Sequence, residues 1–247
     1  MADKPDDFFT VDQSTITHGV VNAGVVGCGT VFKNYDSKPI EIKPVPTRIF
    51  GIGLHKTATS SLHEAMKILG YESWHWGPVR DLAPAHAARD IWRQMNEEGR
   101  SKIVESFYML GDLPVPLLYE KLDKAYPGSK FILTLRDERK WLDAAMRHFS
   151  HEFNQYRGFW KACPFTNFIH KQLYGITYFD PDVFIQRYRR HNAEVLEYFK
   201  NRREDLLIMN MDLAAGWWEL CHFLDCEMPY GVAYPFVNGQ EEVSEAQ

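Results

Sequence analysis

The chain is poor in cysteine, with four in 247 residues. Cys28, Cys163, Cys221 and Cys226 are scattered, and no Cys/His pattern has zinc-ligand spacing. A disulfide framework and a structural zinc site are therefore excluded, and all four read as reduced thiols. No apolar run approaches the roughly 20 residues that a bilayer demands. The amino terminus, "MADKPDDFF", is acidic where a signal segment would be basic and then apolar. No membrane partner is expected, and a cytoplasmic location is the default expectation. Long basic runs are also missing, and the formal net charge is -5, which argues against nucleic acid as a partner. The short clusters "RYRRHN" (187–192) and "KNRR" (200–203) have helical spacing and read as a solvated face.

What is present is a strand–helix alternation. With 45% hydrophobic and 25% charged residues, 247 residues suffice for one sizeable α/β domain. Residues 1–46 stand apart: "THGVVNAGVVGCGTVF" is Val- and Gly-rich, and "SKPIEIKPVP" alternates before two prolines. They are expected to form an amino-terminal extension of short strands or an extended arm, ahead of a domain over 47–247. From Thr47 on, "RIFGIG", "ESWHW", "KIVESF", "KFILTL" and "LLIMNM" read as strands. The segments between them carry helical periodicity, as with Leu62, Ala65, Met66 and Leu69, or Trp141, Ala145, His148 and Phe149. That order implies a three-layer α/β/α domain with a central parallel sheet. Ligands of such sheets sit at the carboxyl ends of strands, where Gly53, His75, Asp112 and Arg136 are expected.

The first strand runs into "GLHKTATSSL", residues 53–62. Free N–H groups of the turn, the helix dipole, four hydroxyls (Thr57, Thr59, Ser60, Ser61) and Lys56 all favour an anion there. The plain alternative is a strand–turn–helix with Thr59 or Ser60 as helix cap. Lys56-Thr57 matches the end of an ATP-type phosphate loop, but His55 replaces its glycine. A Cβ at that point obstructs the wrap around a β,γ-diphosphate, so the loop is of another phosphate-binding type.

This loop resembles the 5′-phosphosulfate loop of sulfotransferases that use 3′-phosphoadenosine 5′-phosphosulfate (PAPS). Cytosolic members carry Pro-Lys-Ser-Gly-Thr-Thr-Trp there, and a bacterial-type branch a Gly-(Arg/Lys)-Thr-Gly-Thr-Thr-Ser-Leu form. "KFILTLRDERKWLDAAM" (130–146) is similar to the family's strand–helix element whose arginine binds the 3′-phosphate. "YRRHNAEVLEYFKNRREDLLIMNM" and "GWWELCHFLDCEMPYGVAYPFVN" look like the carboxyl-terminal part of the bacterial-type branch. The resemblance spans about residues 48–238. It implies a P-loop-NTPase-like sulfotransferase fold. It also implies transfer of a sulfuryl group from PAPS to a hydroxyl or amine of a small-molecule acceptor, with release of adenosine 3′,5′-bisphosphate and no metal requirement. His55, Lys56, Thr57, Ala58, Thr59, Ser60 and Ser61 then line the 5′ end of the cofactor, and Arg136 takes its 3′-phosphate. Lys56 takes the place of the catalytic lysine. Ala58 stands where the family has glycine, Ala144 where it has a phosphate-binding serine, and Glu138 where proline is common.

"GDLPVPLL" (111–118) is similar to the family's Thr-His-Leu-Pro element, which places Asp112 where the histidine base stands. Asp112 is the first candidate base, with a helix-capping role as the alternative, and His75 between two tryptophans is the second. Glu105, toward the end of "KIVESF", is a third candidate, expected to face the same cleft. His148, His151 and Glu152 are spaced for a metal pair, but solvated or core-edge histidines are the expectation. Phe153, Tyr156, Phe159, Trp160, Phe165 and Phe168 either wall an acceptor pocket or cap the core. Two other readings stay open. One is a Mg²⁺-dependent nucleotide phosphotransferase with Asp212 as its metal ligand, and the other a catalytically inactive nucleotide-binding interaction protein.

Overall fold

"KFILTL" has the β-branched and aromatic content of a strand and no turn residue, and it forms the longest strand of the sheet. The computed structural model describes residues 48–76, 82–150, 164–213 and 216–237. In chain order it contains β1 (Ile49–Gly51), α1 (Thr59–Ile68), β2 (Ser73–Trp74), α2 (Leu82–Glu97), α3 (Lys102–Glu105), β3 (Met109–Gly111) and α4 (Val115–Ala125). Then follow β4 (Lys130–Leu135), α5 (Glu138–Phe149), α6 (Pro164–Tyr174), α7 (Pro181–Tyr198), a 3₁₀ turn (Arg203–Asp205), β5 (Leu206–Asn210) and α8 (Trp217–Leu224).

All five strands are parallel, in the order β2-β3-β1-β4-β5. Side chains alternate across the sheet and divide the core in two. Phe50, Leu110, Phe131 and Leu133 face one side, packed with Ile91, Leu118, Leu122, Val195 and Phe199 from α2, α4, the end of α7 and the turn after it. Ile49, Met109, Ile132 and Met209 face the other, under Leu62, Ala65 and Met66 of α1 and Leu220 and Leu224 of α8. The result is the expected α/β/α layering. Each fully buried Leu, Ile or Phe contributes about 1.5–3 kcal/mol against leaving it in water, so the alternation along β1, β3 and β4 fixes which face each of their side chains takes. A third cluster of Leu54, Trp141, Ala145, Ile169, Phe184 and Tyr188 packs α5, α6 and α7 beside the carboxyl end of β1.

The chain leaves β1 toward β2 on one side and leaves β4 toward β5 on the other. β1 and β4 are neighbours, so the crevice between their carboxyl ends is the topological switch point where α/β sheets take ligands.

One strand differs from expectation. Residues 102–105 of "KIVESF" form the short helix α3, capped by Ser101, whose hydroxyl accepts from the Val104 N–H at 3.5 Å. The strand is the next stretch, Met109–Gly111. A run of apolar residues this short reads alike in either conformation, and the cap decides it. The correction moves Glu105 away from the cleft. Its carbonyl accepts from Arg48, which precedes β1, and its carboxylate pairs with Arg100 at 2.9 Å. Glu105 therefore lies at the amino end of the sheet, opposite the crevice. Among the described residues no helix is long and apolar enough to cross a membrane. Cys221 and Cys226 are free thiols. The amino-terminal extension 1–46, Cys28 and Cys163 fall outside the described residues, as do His151, Glu152, Phe153, Tyr156, Phe159 and Trp160.

Candidate functional site

The turn between β1 and α1 is built on a glycine that has no room for a side chain. A Cβ on Gly53 would stand 2.0 Å from Thr134 Oγ1 and 2.7 Å from the Thr134 carbonyl of β4. That close approach lets Thr57 bond across: its hydroxyl donates to the Leu54 carbonyl at 2.6 Å and lies 2.7 Å from Thr134 Oγ1. Thr57 is fully buried, so its hydroxyl shapes the loop from beneath. The two residues flanking it are left-handed, Lys56 at φ 67° and Ala58 at φ 65°. Alternation into the left-handed region turns successive N–H groups to one side of a chain and makes an anion-binding hollow. Ala58 is also the cap residue of α1, and it provides no side-chain hydrogen bond. Neither Thr59 nor Ser60 is the cap, because both already lie within the helix. Ser61 is buried, and its hydroxyl accepts from the Val237 N–H at 3.0 Å, which pins the carboxyl-terminal segment to α1.

His55 explains why this loop dispenses with the ATP-type glycine. Its side chain turns away from the hollow into an aromatic chamber, edge-on to Phe149 and stacked over His170 at 5.8 Å. Nε2 pairs with the Tyr174 hydroxyl at 2.6 Å, and the His55 carbonyl accepts from Trp141 Nε1 at 2.9 Å. The loop is thus bolted to α5 and α6 through one residue. Burial, with help from His170, His148 and Lys56, holds the His55 imidazole neutral, well below its ordinary range. Burial takes His148 down to about 3, with Lys56 and His170 adding to it, and takes His170 to about 4. Lys56 therefore lies beside a neutral histidine cluster.

Across the crevice, Arg136 follows β4. Its N–H donates to the Tyr188 hydroxyl at 2.9 Å, and that hydroxyl donates back to the Arg136 carbonyl at 2.8 Å, fixing the backbone there. The guanidinium pairs with neither adjacent acid. Asp137 caps α5 by accepting from the N–H groups of Arg139 and Lys140, and Glu138 is taken by Arg189. The Arg136 partner is Asp212, just beyond β5, at 3.8 Å, and Lys140 shares that carboxylate at 3.2 Å. Burial pushes Asp212 up, but the Asp137 N–H at 2.5 Å, Lys140 and Arg136 outweigh it and hold the carboxyl below its ordinary range. Ala144 is buried in α5 and offers no donor.

The two rival bases meet. His75 follows β2 and Asp112 follows β3, and these strands are neighbours. His75 Nε2 lies 3.5 Å from Asp112 Oδ2 and 3.0 Å from Thr59 Oγ1. Asp112 is left-handed, at φ 66°, and its Oδ1 accepts from the following Leu113 N–H at 2.8 Å. His63 from α1 lies beside His75, with ring centroids 5.4 Å apart, and is anchored on Ser73 Oγ at 2.7 Å. Burial, then the neighbouring His75, lowers His63 to about 4.

Lys56, the hollow, Arg136 and the His75–Asp112 pair thus share the carboxyl edge of the sheet. Thr134, Tyr174, Tyr188 and Asp212 are the supporting residues that sequence reading passed over or assigned elsewhere. Only Asp212 had a signal, as an acid at a strand end. Phe165 packs on Trp76 with centroids 6.0 Å apart, and Phe168 is edge-on to Trp92. Among the described residues no three His, Cys, Asp or Glu side chains converge as metal ligands do.

Comparison with known proteins gives the same direction. A family model described as "Sulfotransferase domain" matches residues 48–243. A curated protein of Aspergillus versicolor, "Ava biosynthesis cluster protein M", is 28% identical over 107 residues, which cover 38% of this chain and 40% of that protein. The similarity to that relative thus spans less than half of its length.

Proposed function

The chain belongs to the sulfotransferase family, and from that premise we propose that it transfers a sulfuryl group from PAPS to a hydroxyl or amine of a small-molecule acceptor, releasing adenosine 3′,5′-bisphosphate. The observation that carries the reading is the pairing across the switch point. A left-handed hollow at an uncapped helix start follows β1, and an arginine beside a lysine follows the adjacent β4. Two separate anion sites on neighbouring strands suit a nucleotide with phosphate at both 5′ and 3′ positions.

The residues present fit that group. The N–H groups of the Lys56–Ala58 turn and of the first turn of α1 would hold the 5′ phosphosulfate, with the Thr59 and Ser60 hydroxyls. Arg136 and Lys140 would hold the 3′-phosphate once Asp212 yields them. When bound, PAPS supplies an activated sulfuryl group, whose bond to the bridging phosphate oxygen breaks as the bond to the acceptor forms. Lys56 neutralises the negative charge left on that bridging oxygen.

His75 and Asp112 share the proton-accepting role. With Asp112 Oδ2 3.5 Å from His75 Nε2, Nε2 would receive the proton and Asp112 would stabilise the imidazolium that results. Asp212, which a Mg²⁺-dependent phosphotransferase would need as metal ligand, pairs with Lys140 and Arg136 and accepts from the Asp137 N–H. The test is incubation with sulfur-labelled PAPS and a panel of phenols, alcohols, sugars and amines. Label should pass to at least one acceptor class, and far more slowly in His75→Gln. Label transfer that survives His75→Gln unchanged would refute the assignment of the base.

A further inference from the structure

Resting on the sulfuryl-transfer reading, we infer that Thr59 gates the base. Its single hydroxyl proton occupies His75 Nε2 until a phosphate on the loop claims the hydroxyl, so the base is freed only when the donor is in place.

The tautomer follows from the partners. His75 Nδ1 lies 2.8 Å from the Trp76 carbonyl, which can only accept, so Nδ1 carries the proton. In the neutral ring Nε2 is then a lone pair, and the Thr59 hydroxyl at 3.0 Å donates to it. A lone pair so engaged cannot take a proton from an acceptor. Thr59 opens α1 beside the hollow, and its hydroxyl has one proton for two claimants. A phosphate oxygen is the stronger one, since hydrogen bonds to ionised acceptors are about twice as strong as neutral ones.

The groups facing His75 complete the device. Thr59 and His63 come from α1, and Asp112 comes from the turn after β3. Asp112 is held by the Leu113 N–H, with Oδ2 aimed at the same Nε2. Once Nε2 has taken the acceptor's proton, it becomes a donor and Asp112 receives it. With Thr59 on Nε2 the carboxylate has no donor there. Loss of that hydrogen bond and gain of the new one therefore act in sequence on one nitrogen atom. The consequence is ordered binding, with the donor preceding productive engagement of the acceptor.

The experiment is ¹⁵N NMR of the histidine rings in the full chain, free and saturated with adenosine 3′,5′-bisphosphate, with melting temperature as the independent measure of binding. In the wild type, the His75 Nε2 resonance should move from the hydrogen-bonded to the free position of an unprotonated ring nitrogen when the bisphosphate binds. In Thr59→Val it should sit at the free position without ligand and move no further, and Thr59→Ser should restore the wild-type response. Initial-rate kinetics should show donor-first order in wild type and Thr59→Ser, and loss of that order in Thr59→Val. An Nε2 resonance that stays put while the melting temperature rises would overturn the gate, as would a protonated Nε2 in the free protein. If the bisphosphate raises no melting temperature, the donor reading itself fails and the gate fails with it. Comparison of free wild type with Thr59→Val still reads the resting contact on its own.

Discussion

Two glycine–alanine exchanges five residues apart in one loop should act in opposite directions. Ala58 sits at φ 65°, a region that costs an L-residue about 1–2 kcal/mol. Ala58→Gly removes that cost but adds roughly 0.4–1 kcal/mol of backbone freedom to the unfolded chain. The net expectation is a gain of about 0.5–1 kcal/mol. For a protein of this size each kcal/mol moves the melting temperature by about 2–4 °C, so the gain is roughly 1–4 °C. Gly53→Ala meets the opposite situation. Its new Cβ would lie 2.0 Å from Thr134 Oγ1, 2.7 Å from the Thr134 carbonyl and 2.8 Å from Thr57 Oγ1. The carbonyl belongs to β4 and cannot swing aside. The cost should reach the top of the roughly 1–3 kcal/mol range for overpacking, or exceed it. Urea denaturation of the three proteins measures both, with unchanged slope as the check that only stability moved. A destabilised Ala58→Gly would refute the strain argument, and an unaffected Gly53→Ala would refute the loop geometry.

Other perturbations separate chemistry from scaffold. Lys56→Ala should lower turnover by about 10²–10³-fold, with a smaller loss of bisphosphate binding, as steady-state kinetics and calorimetry will show; equal turnover would remove its transition-state role. His75→Gln should cost on the order of 10²–10⁴ in kcat, and Asp112→Asn should also lower kcat with nucleotide affinity kept. A loss of stability alone in Asp112→Asn would mark that residue as a turn former. Acid stability should report the buried histidines. His191 donates from Nε2 to the Ile52 carbonyl at 2.7 Å, and burial lowers it to about 4. The unfolded chain then binds the extra proton between pH 6.5 and about 4, so stability falls as pH falls through that window. His191→Gln should flatten the fall by up to about 1.4 kcal/mol per pH unit in denaturation series, and an unchanged slope would exclude His191 as a source.

Local features of the chain made much of this legible. β4 and its arginine, and the turn after Gly53, follow from periodicity and punctuation in one stretch of sequence. Short-range ambiguity misplaced β3, since "KIVESF" offers apolar residues to strand and helix alike. Long-range contacts were not legible at all. The partners that turn His55 inward, Trp141 and Tyr174, lie 86 and 119 residues away. Asp137 and Glu138, next to Arg136 in sequence, are claimed by helix capping and by Arg189, which leaves Asp212, beyond the next strand, as its partner. His75 and Asp112 appeared as rivals because sequence gives no sign that β2 and β3 are neighbours. Sheet order makes them a pair.

The most direct test of the central claim is ligand stabilisation. At about 100 times Kd, adenosine 3′,5′-bisphosphate without Mg²⁺ should add roughly 2.7 kcal/mol of stability, which corresponds to about 5–10 °C in melting temperature for a chain of this length. With Ala144 in place of a serine, the shift should fall at the low end of that range. ADP and ATP, lacking the 3′-phosphate, should give much less. Arg136→Ala should remove most of the shift while leaving the loop intact. Stabilisation by ATP with Mg²⁺ and none by the bisphosphate would contradict the account and point to phosphoryl transfer.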